Sequence, residues 1–270
     1  MMKVAFLITV YKNDKLEFFK EAIESIVNQD YGFGNINIYL GIDGDLPDNT
    51  QNYIDQNKEC FYNIVQNESN KGLAHTLNRL IEVLEDEEYI FRMDSDDICL
   101  SSRVKKQIEF MNKHLELDIS GTNIEIIDEA SCSTNQTIVY PTTHKECYEF
   151  FKKRDPLAHP SVVFRNTYFE KSGEYPLVRK NQDTLYWAKG FINGCKFGNL
   201  NEVHLMFRQS NDLFNRRGNV NELLILLKNR FRINNKLGYG IDSYIYATSY
   251  FILQLMPSFI KKVIYRRLRN

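Results

Sequence analysis

Along the N-terminal part of the chain, short apolar runs alternate with longer segments whose apolar positions recur every three or four residues. The runs KVAFLITVY (3–11), INIYLGIDG (36–44), FYNIVQNE (61–68) and YIFRMD (89–94) are rich in β-branched and aromatic residues, and turn-forming residues bound them, so each reads as a strand. Between the first two, Phe18, Phe19, Ala22, Ile23, Ile26 and Val27 share one face of a helix over 16–27. Between the last two, Leu73, Leu77, Leu80, Ile81 and Leu84 do the same within KGLAHTLNRLIEVLE (71–85). Strands alternating with amphipathic helices are the pattern of βαβ units. The expected fold class is therefore α/β, a mainly parallel sheet flanked by helices.

Further on, SSRVKKQIEFMNKH (101–114) reads as a helix opened by Ser101 or Ser102, either of which can cap the free N–H groups of its first turn. DISGTNIEIID (118–128), SVVFR (161–165) and EVHLMFR (202–208) read as strands, and NQDTLYWAKGFIN (181–193) as a helix. From 132 to 160 the pattern loosens around Pro141, Pro156 and Pro160, which marks this stretch as substrate-facing loops. There is no internal repeat. From 219 the composition changes again, and the expected division is a body over 1–217 followed by an amphipathic, basic, helical region over 218–270.

Charge supports that division. The 270-residue chain has a formal net charge of −1, but the segment 228–270 holds nine Lys or Arg against Asp242 alone. A basic tail on an acidic body suits an anionic surface. Because the basic residues flank an apolar stretch with no aromatic reading surface, nucleic acid is not the expected partner. Residues 243–260 carry no charge, but Ser243, Thr248, Ser249, Gln254, Pro257 and Ser258 make a membrane span unattractive, so the expectation is an interfacial helix with a polybasic end (Lys261, Lys262, Arg266, Arg267, Arg269). The five cysteines form no metal-binding or CxxC pattern and fit a reducing cytosol; the apolar N-terminal run is a strand and not a signal peptide.

In an open parallel sheet, ligands collect outside the carboxyl ends of the strands. Here those ends carry Thr9 and Tyr11, Asp43, residues 67–72 including Asn70 and Gly72, and the acids Asp94, Asp96 and Asp97. Taken singly, Asp43-Gly44 is an ordinary turn pair and the aspartates an acidic helix entry. Together they place polar groups from four strands along one edge. Like charges this close repel unless a cation neutralises them, and hard carboxylate oxygens suit Mg2+ or Mn2+, which in turn suits a diphosphate ligand.

The motifs TVY (9–11), GIDG (41–44), NKGLAHTLNR (70–79), MDSDD (93–97) followed by Arg103, HPSVVFR (159–165) and NQDTLYW (181–187) occur in an order that resembles family 2 inverting glycosyltransferases of the GT-A fold, especially those that build bacterial O-antigen repeats. The resemblance spans about residues 3–217, with a nucleotide-sugar half over about 1–100 and an acceptor half over about 101–217. It implies that Thr9, Tyr11, Asp43, Asn70, Gly72 and Asp94 serve the nucleotide of a UDP-sugar donor, that Asp96 binds Mn2+ or Mg2+, and that Asp183 is the general base. Asp97 is left as a neighbour that orients the other acids. His159 near the acceptor, Trp187 as an apolar platform for a sugar face, and Arg208, Arg216 and Arg217 at the diphosphate are further candidates. The resemblance also implies a hexose, glucose or galactose, passed to an undecaprenyl-diphosphate-linked sugar, which sets the enzyme peripherally on the inner face of the cytoplasmic membrane. The chain departs from the family at FRQSNDLFNRR, where neither a metal-binding His nor a QxxRW motif appears, and has Gln182 where a Glu-Asp pair is common. A sugar nucleotidyltransferase is disfavoured because TVYKNDKLEFF lacks a glycine-rich basic loop, and a non-catalytic glycan-binding module because Asp94, Asp96 and Asp183 are all retained.

Overall fold

The computed structural model describes residues 2–209 and 220–256, so Arg216, Arg217 and the basic residues from Lys261 onward lie outside the described residues. In chain order the elements are β1 (Val4–Val10), α1 (Leu16–Val27), β2 (Ile36–Asp43), α2 (Asp48–Gln56), β3 (Asn63–Asn67), α3 (Leu73–Glu82) and β4 (Tyr89–Met93). There follow β5 (Ile98–Cys99), α4 (Arg103–Lys113), β6 (Ile119–Ile127), β7 (Ser133–Ile138), α5 (His144–Phe151), β8 (Val163–Arg165) and α6 (Asn166–Ser172). The chain continues through α7 (Gln182–Ile192), β9 (Phe197–Arg208), α8 (Val220–Lys236) and α9 (Ile241–Leu255).

One mixed sheet runs in the order β3-β2-β1-β4-β8-β6-β9-β5, with β7 pairing the later part of β6 off this path. β1 to β4 pair in parallel, and β8 is antiparallel to both β4 and β6. Helices cover both faces, which is why β1 is apolar at nearly every position rather than at alternate ones. Val4, Phe6 and Ile8 meet α1 and α4 on one face, and Ala5 and Leu7 meet α3 and α7 on the other.

Two sequence expectations need correction. Residues 132–160 are not all loop. They hold β7, whose side chains are all exposed and so show no alternation, and α5, entered by a capping box in which Thr143 Oγ1 accepts the Glu146 N–H at 3.3 Å and the Glu146 carboxylate accepts the Thr143 N–H at 2.9 Å. Neither Ser101 nor Ser102 caps α4; Gln29 Oε1, reaching across from the end of α1, accepts the Val104 N–H at 3.1 Å, while Ser102 Oγ sits 3.3 Å from His204 Nδ1. The helix α2 also escapes the pattern because Thr50 and Ile54 are its only buried residues.

The C-terminal helices fasten to α5. Ile233 enters the core beside Phe151, Arg230 Nη1 donates to the Phe151 carbonyl at 2.8 Å, and Tyr239 Oη donates to the Tyr148 carbonyl at 2.7 Å. Among the described residues no helix is long and apolar enough to cross a membrane.

Candidate active site

The carboxyl ends of β1, β2 and β4 and the start of α3 enclose a pocket of about 450 Å³. Its lining brings together Thr9, Tyr11, Asp43, Asn70, Gly72, Asp94 and Asp96, drawn from four separate motifs. Tyr11 is 38% exposed where it lines the pocket. Asp43 is buried and works as a brace: its Oδ1 accepts from Asn67 Nδ2 (2.9 Å) and the Lys71 N–H (2.8 Å), and its Oδ2 from the Gly72 N–H (2.9 Å). These bonds draw the 70–72 turn onto the end of β2. That approach needs Gly44, at φ +90°, since a Cβ there would lie 2.7 Å from the Asn70 nitrogen.

Two pocket residues carry no sequence signal of their own. Asp14 Oδ2 accepts from the Tyr11 N–H (3.1 Å) and Ser95 Oγ (2.8 Å), tying the end of β1 to the acidic turn, and burial pushes its carboxyl up to about 6. Arg179, exposed at the rim, supplies a positive charge where sequence reasoning had offered Arg208, Arg216 and Arg217.

At the pocket floor, Asp94, Asp96 and Asp97 each present an oxygen within 4.8 Å of the others. Arg92, almost wholly buried, pairs with Asp94. Asp96 opens to the pocket, where the enclosing walls and then the charge of Asp94 push it up to about 6. Asp97 is fully buried. Its Oδ1 accepts the Arg208 N–H at 2.9 Å, its Oδ2 has no protein partner, and burial followed by the charges of Asp94 and Asp96 raises its carboxyl well above the usual range. Three converging carboxylates, one with an orphaned buried oxygen, are a donor set suited to a hard divalent cation.

Arg208 is part of this floor and is not free to meet a diphosphate. Its guanidinium is committed to the Asp96 carbonyl (2.7 Å), the Asp128 carbonyl (3.1 Å), Ser131 Oγ (3.0 Å) and the Glu21 carboxylate (2.6 Å), so it holds the acidic turn in place from behind.

In the second half of the sheet-bearing body, Asp183 stands half-buried in the first turn of α7, its Oδ1 accepting the Thr184 N–H at 2.8 Å. Burial raises its carboxyl, and the Thr184 N–H and the positive charge of Arg92 counter, so the residue lies within electrostatic reach of Arg92 and Asp94. Beside it is Asp155, a carboxylate that sequence reasoning missed because Asp155-Pro156 looks like a turn. Burial and then the charge of Asp183 raise Asp155 to about 7. His159 is buried with Nε2 3.0 Å from Tyr175 Oη, and burial and Arg92 lower its basicity. Trp187 is 0% exposed and lies edge-on to His159 and Phe197; it fills the core and presents no face to an acceptor sugar.

The sequence profile of glycosyl transferase family 2 matches residues 6–191. Among relatives, the amylovoran biosynthesis glycosyltransferase AmsE of Erwinia amylovora is 27% identical over 98% of both chains. The Escherichia coli UDP-Gal:alpha-D-GlcNAc-diphosphoundecaprenol beta-1,3-galactosyltransferase is 26% identical over 98% of this chain and 96% of its own. Among solved structures, TarS 1-349 of S. aureus in complex with UDP-GlcNAc shares the fold with a TM-score of 0.63 at 14% identity, over 94% of this chain and 82% of its own. With the profile covering more than half its length and the relatives drawn from bacterial polysaccharide synthesis, the chain is a glycosyltransferase of family 2 with the GT-A fold.

Proposed function

We propose that this enzyme is a metal-dependent inverting glycosyltransferase that moves a hexose, glucose or galactose, from a UDP-sugar to a lipid-diphosphate-linked sugar during surface-polysaccharide assembly. The observation that carries the reading is the convergence of Thr9, Tyr11, Asp43 and the Asp94–Asp96 turn on one pocket, with Asp183 within electrostatic reach of Arg92 and Asp94. The donor and acceptor classes are supported by the E. coli galactosyltransferase, similar along nearly the whole chain.

Asp94, Asp96 and Asp97 would hold Mn2+ or Mg2+, which when bound acts as a Lewis acid on the leaving diphosphate. Tyr11, partly exposed at the pocket, would stack on the base, and the Asp43 brace fixes the turn that closes over the nucleotide. Asp183 Oδ1 is held by the Thr184 N–H, leaving Oδ2 to take the proton of the acceptor hydroxyl. As that proton leaves, the acceptor oxygen bonds to the anomeric carbon and the carbon–oxygen bond to the diphosphate breaks, in a single displacement with inversion. Arg92 lies between the two halves; its charge steadies Asp94 and favours the ionised form of Asp183.

A lipid-linked acceptor requires work at a membrane surface. Leu224, Ile225, Phe231, Ile241, Ile245 and Ile252 stand exposed on α8 and α9, interleaved with exposed Lys228, Arg232 and Lys236, the composition of an interfacial helix pair for anionic lipid. The chain would act from the inner face of the cytoplasmic membrane.

The test is a screen of UDP-hexoses by thermal shift with Mn2+, followed by product analysis on a synthetic GlcNAc-diphosphate lipid. Stabilisation by a UDP-hexose and a β-linked product are expected. Stabilisation by nucleoside triphosphates with no glycosidic product would point to the nucleotidyltransferase reading instead.

A further inference from the structure

Asp155 lies in no motif that the proposed chemistry uses, yet it is built into the start of α7. Thr184 is gripped from two sides: its N–H donates to Asp183 Oδ1 at 2.8 Å, and its hydroxyl donates to Asp155 Oδ2 at 2.7 Å, with Asn181 Oδ1 a second acceptor at 2.9 Å. One residue thus fixes both carboxylates. The other oxygen of Asp155, Oδ1, is buried with no hydrogen-bond partner and has Arg230 Nη2 of α8 at 3.9 Å. Arg230 is itself anchored through Nη1 to the Phe151 carbonyl and lies over the Phe151 ring.

We infer that Asp155 is a positioning residue for Asp183, which it orients through Thr184 and makes a stronger base by its negative charge, with Arg230 of the C-terminal helix as its counter-ion. The inference rests on the reading of Asp183 as the base. A carboxylate beside a second carboxylate binds its proton more tightly, and a stronger base removes a hydroxyl proton more readily. The charged and titratable groups that face the pair are Arg230 from α8, Tyr140 and Arg154 on the Asp155 side, and Arg92, Asp94 and Tyr175 on the Asp183 side. Because Asp155 ionises near neutrality, the pair passes from one negative charge to two within the working range.

The experiment compares full-length wild type, Asp155→Asn, Arg230→Gln, Arg230→Lys and Asp183→Asn. With UDP-galactose and a synthetic GlcNAc-diphosphate lipid, the kcat/KM profile of wild type should rise in two steps, the second near pH 7. Asp155→Asn should keep the first step, lose the second and lower kcat above pH 7 by about three- to ten-fold, with UDP affinity unchanged. Arg230→Gln should move the second step to higher pH, and Arg230→Lys should restore it. A profile in Asp155→Asn that matches wild type, with Asp183→Asn inactive, overturns the inference and leaves the base assignment standing; wild-type turnover in Asp183→Asn overturns the base assignment itself. A second arm needs no substrate. The melting temperature of Asp155→Asn relative to its parent should rise from pH 5 to pH 8, and that rise should shrink when the parent is Asp183→Asn. An equal rise in both backgrounds shows that the two carboxylates do not interact and overturns the inference.

Discussion

The two acidic groups of this enzyme are held in opposite ways. Asp94, Asp96 and Asp97 sit on a turn that is clamped from behind, with Arg92 pairing one end and Arg208 bonding the backbone at the other. Asp155 and Asp183 hang from a single residue, Thr184, and their nearest cation stands 3.9 Å away on a C-terminal helix. The first arrangement keeps three carboxylates in place whatever their charge, as a seat for an ion must. The second lets the protonation of one acid change the basicity of the other. On the proposed reading, fixed geometry serves binding and adjustable charge serves proton transfer.

The comparison can be broken at several points. The largest effect is expected from the clamped group: chelation should abolish turnover, Mn2+ should restore it, and Asp96→Asn should lower kcat/KM by at least about 100-fold, on the scale of a lost electrostatic clamp. Preserved turnover after chelation would remove the metal from the account. Next, Arg208→Ala removes the guanidinium from the Asp96 and Asp128 carbonyls, Ser131 Oγ and Glu21, while the backbone N–H to Asp97 stays, and should cost about 1–3 kcal/mol by denaturant unfolding. A cost under about 1 kcal/mol would show that the turn holds itself. A smaller effect is expected from Gly44→Ala, where positive φ and a 2.7 Å contact should loosen the 70–72 turn and weaken UDP binding more than they reduce kcat.

The smallest effect concerns pH. Asp14 and Asp96 each titrate near 6 in the fold, above the unfolded value of about 4. Their ionisation therefore costs stability as pH rises through that window, and Mn2+, which needs ionised Asp96, should bind more weakly as pH falls below about 6. Titration calorimetry of Mn2+ with UDP at pH 5 and pH 7.5 reads this; equal affinity at both values would separate Asp96 from the metal.

What the sequence made legible follows burial. β1, β2 and β4 are enclosed on both faces, so continuous apolar runs revealed them and thereby revealed the edge where Thr9, Asp43 and Asp94 emerge. β7 has no buried face, and α2 only two buried residues, so neither left a pattern. The role of Arg208 is set by partners from Glu21 to Ser131, far apart in the chain, and no local spacing encodes it. Asp155 and Arg230 meet only because α8 returns to the body after β9. Trp187 shows the limit of helical spacing as a guide. It does lie one turn from Asp183, but α7 turns that side chain into the aromatic core.

The central claim is that Asp183 removes the proton while the acids of the other half hold the donor. The direct test is Asp183→Asn, with kcat and the dissociation constant of UDP with Mn2+ measured on the same preparation. The account requires kcat to fall by about 10²- to 10⁴-fold while UDP affinity stays within about twofold of wild type. Turnover at the wild-type rate, or a loss of UDP affinity that matches the loss of rate, would contradict it.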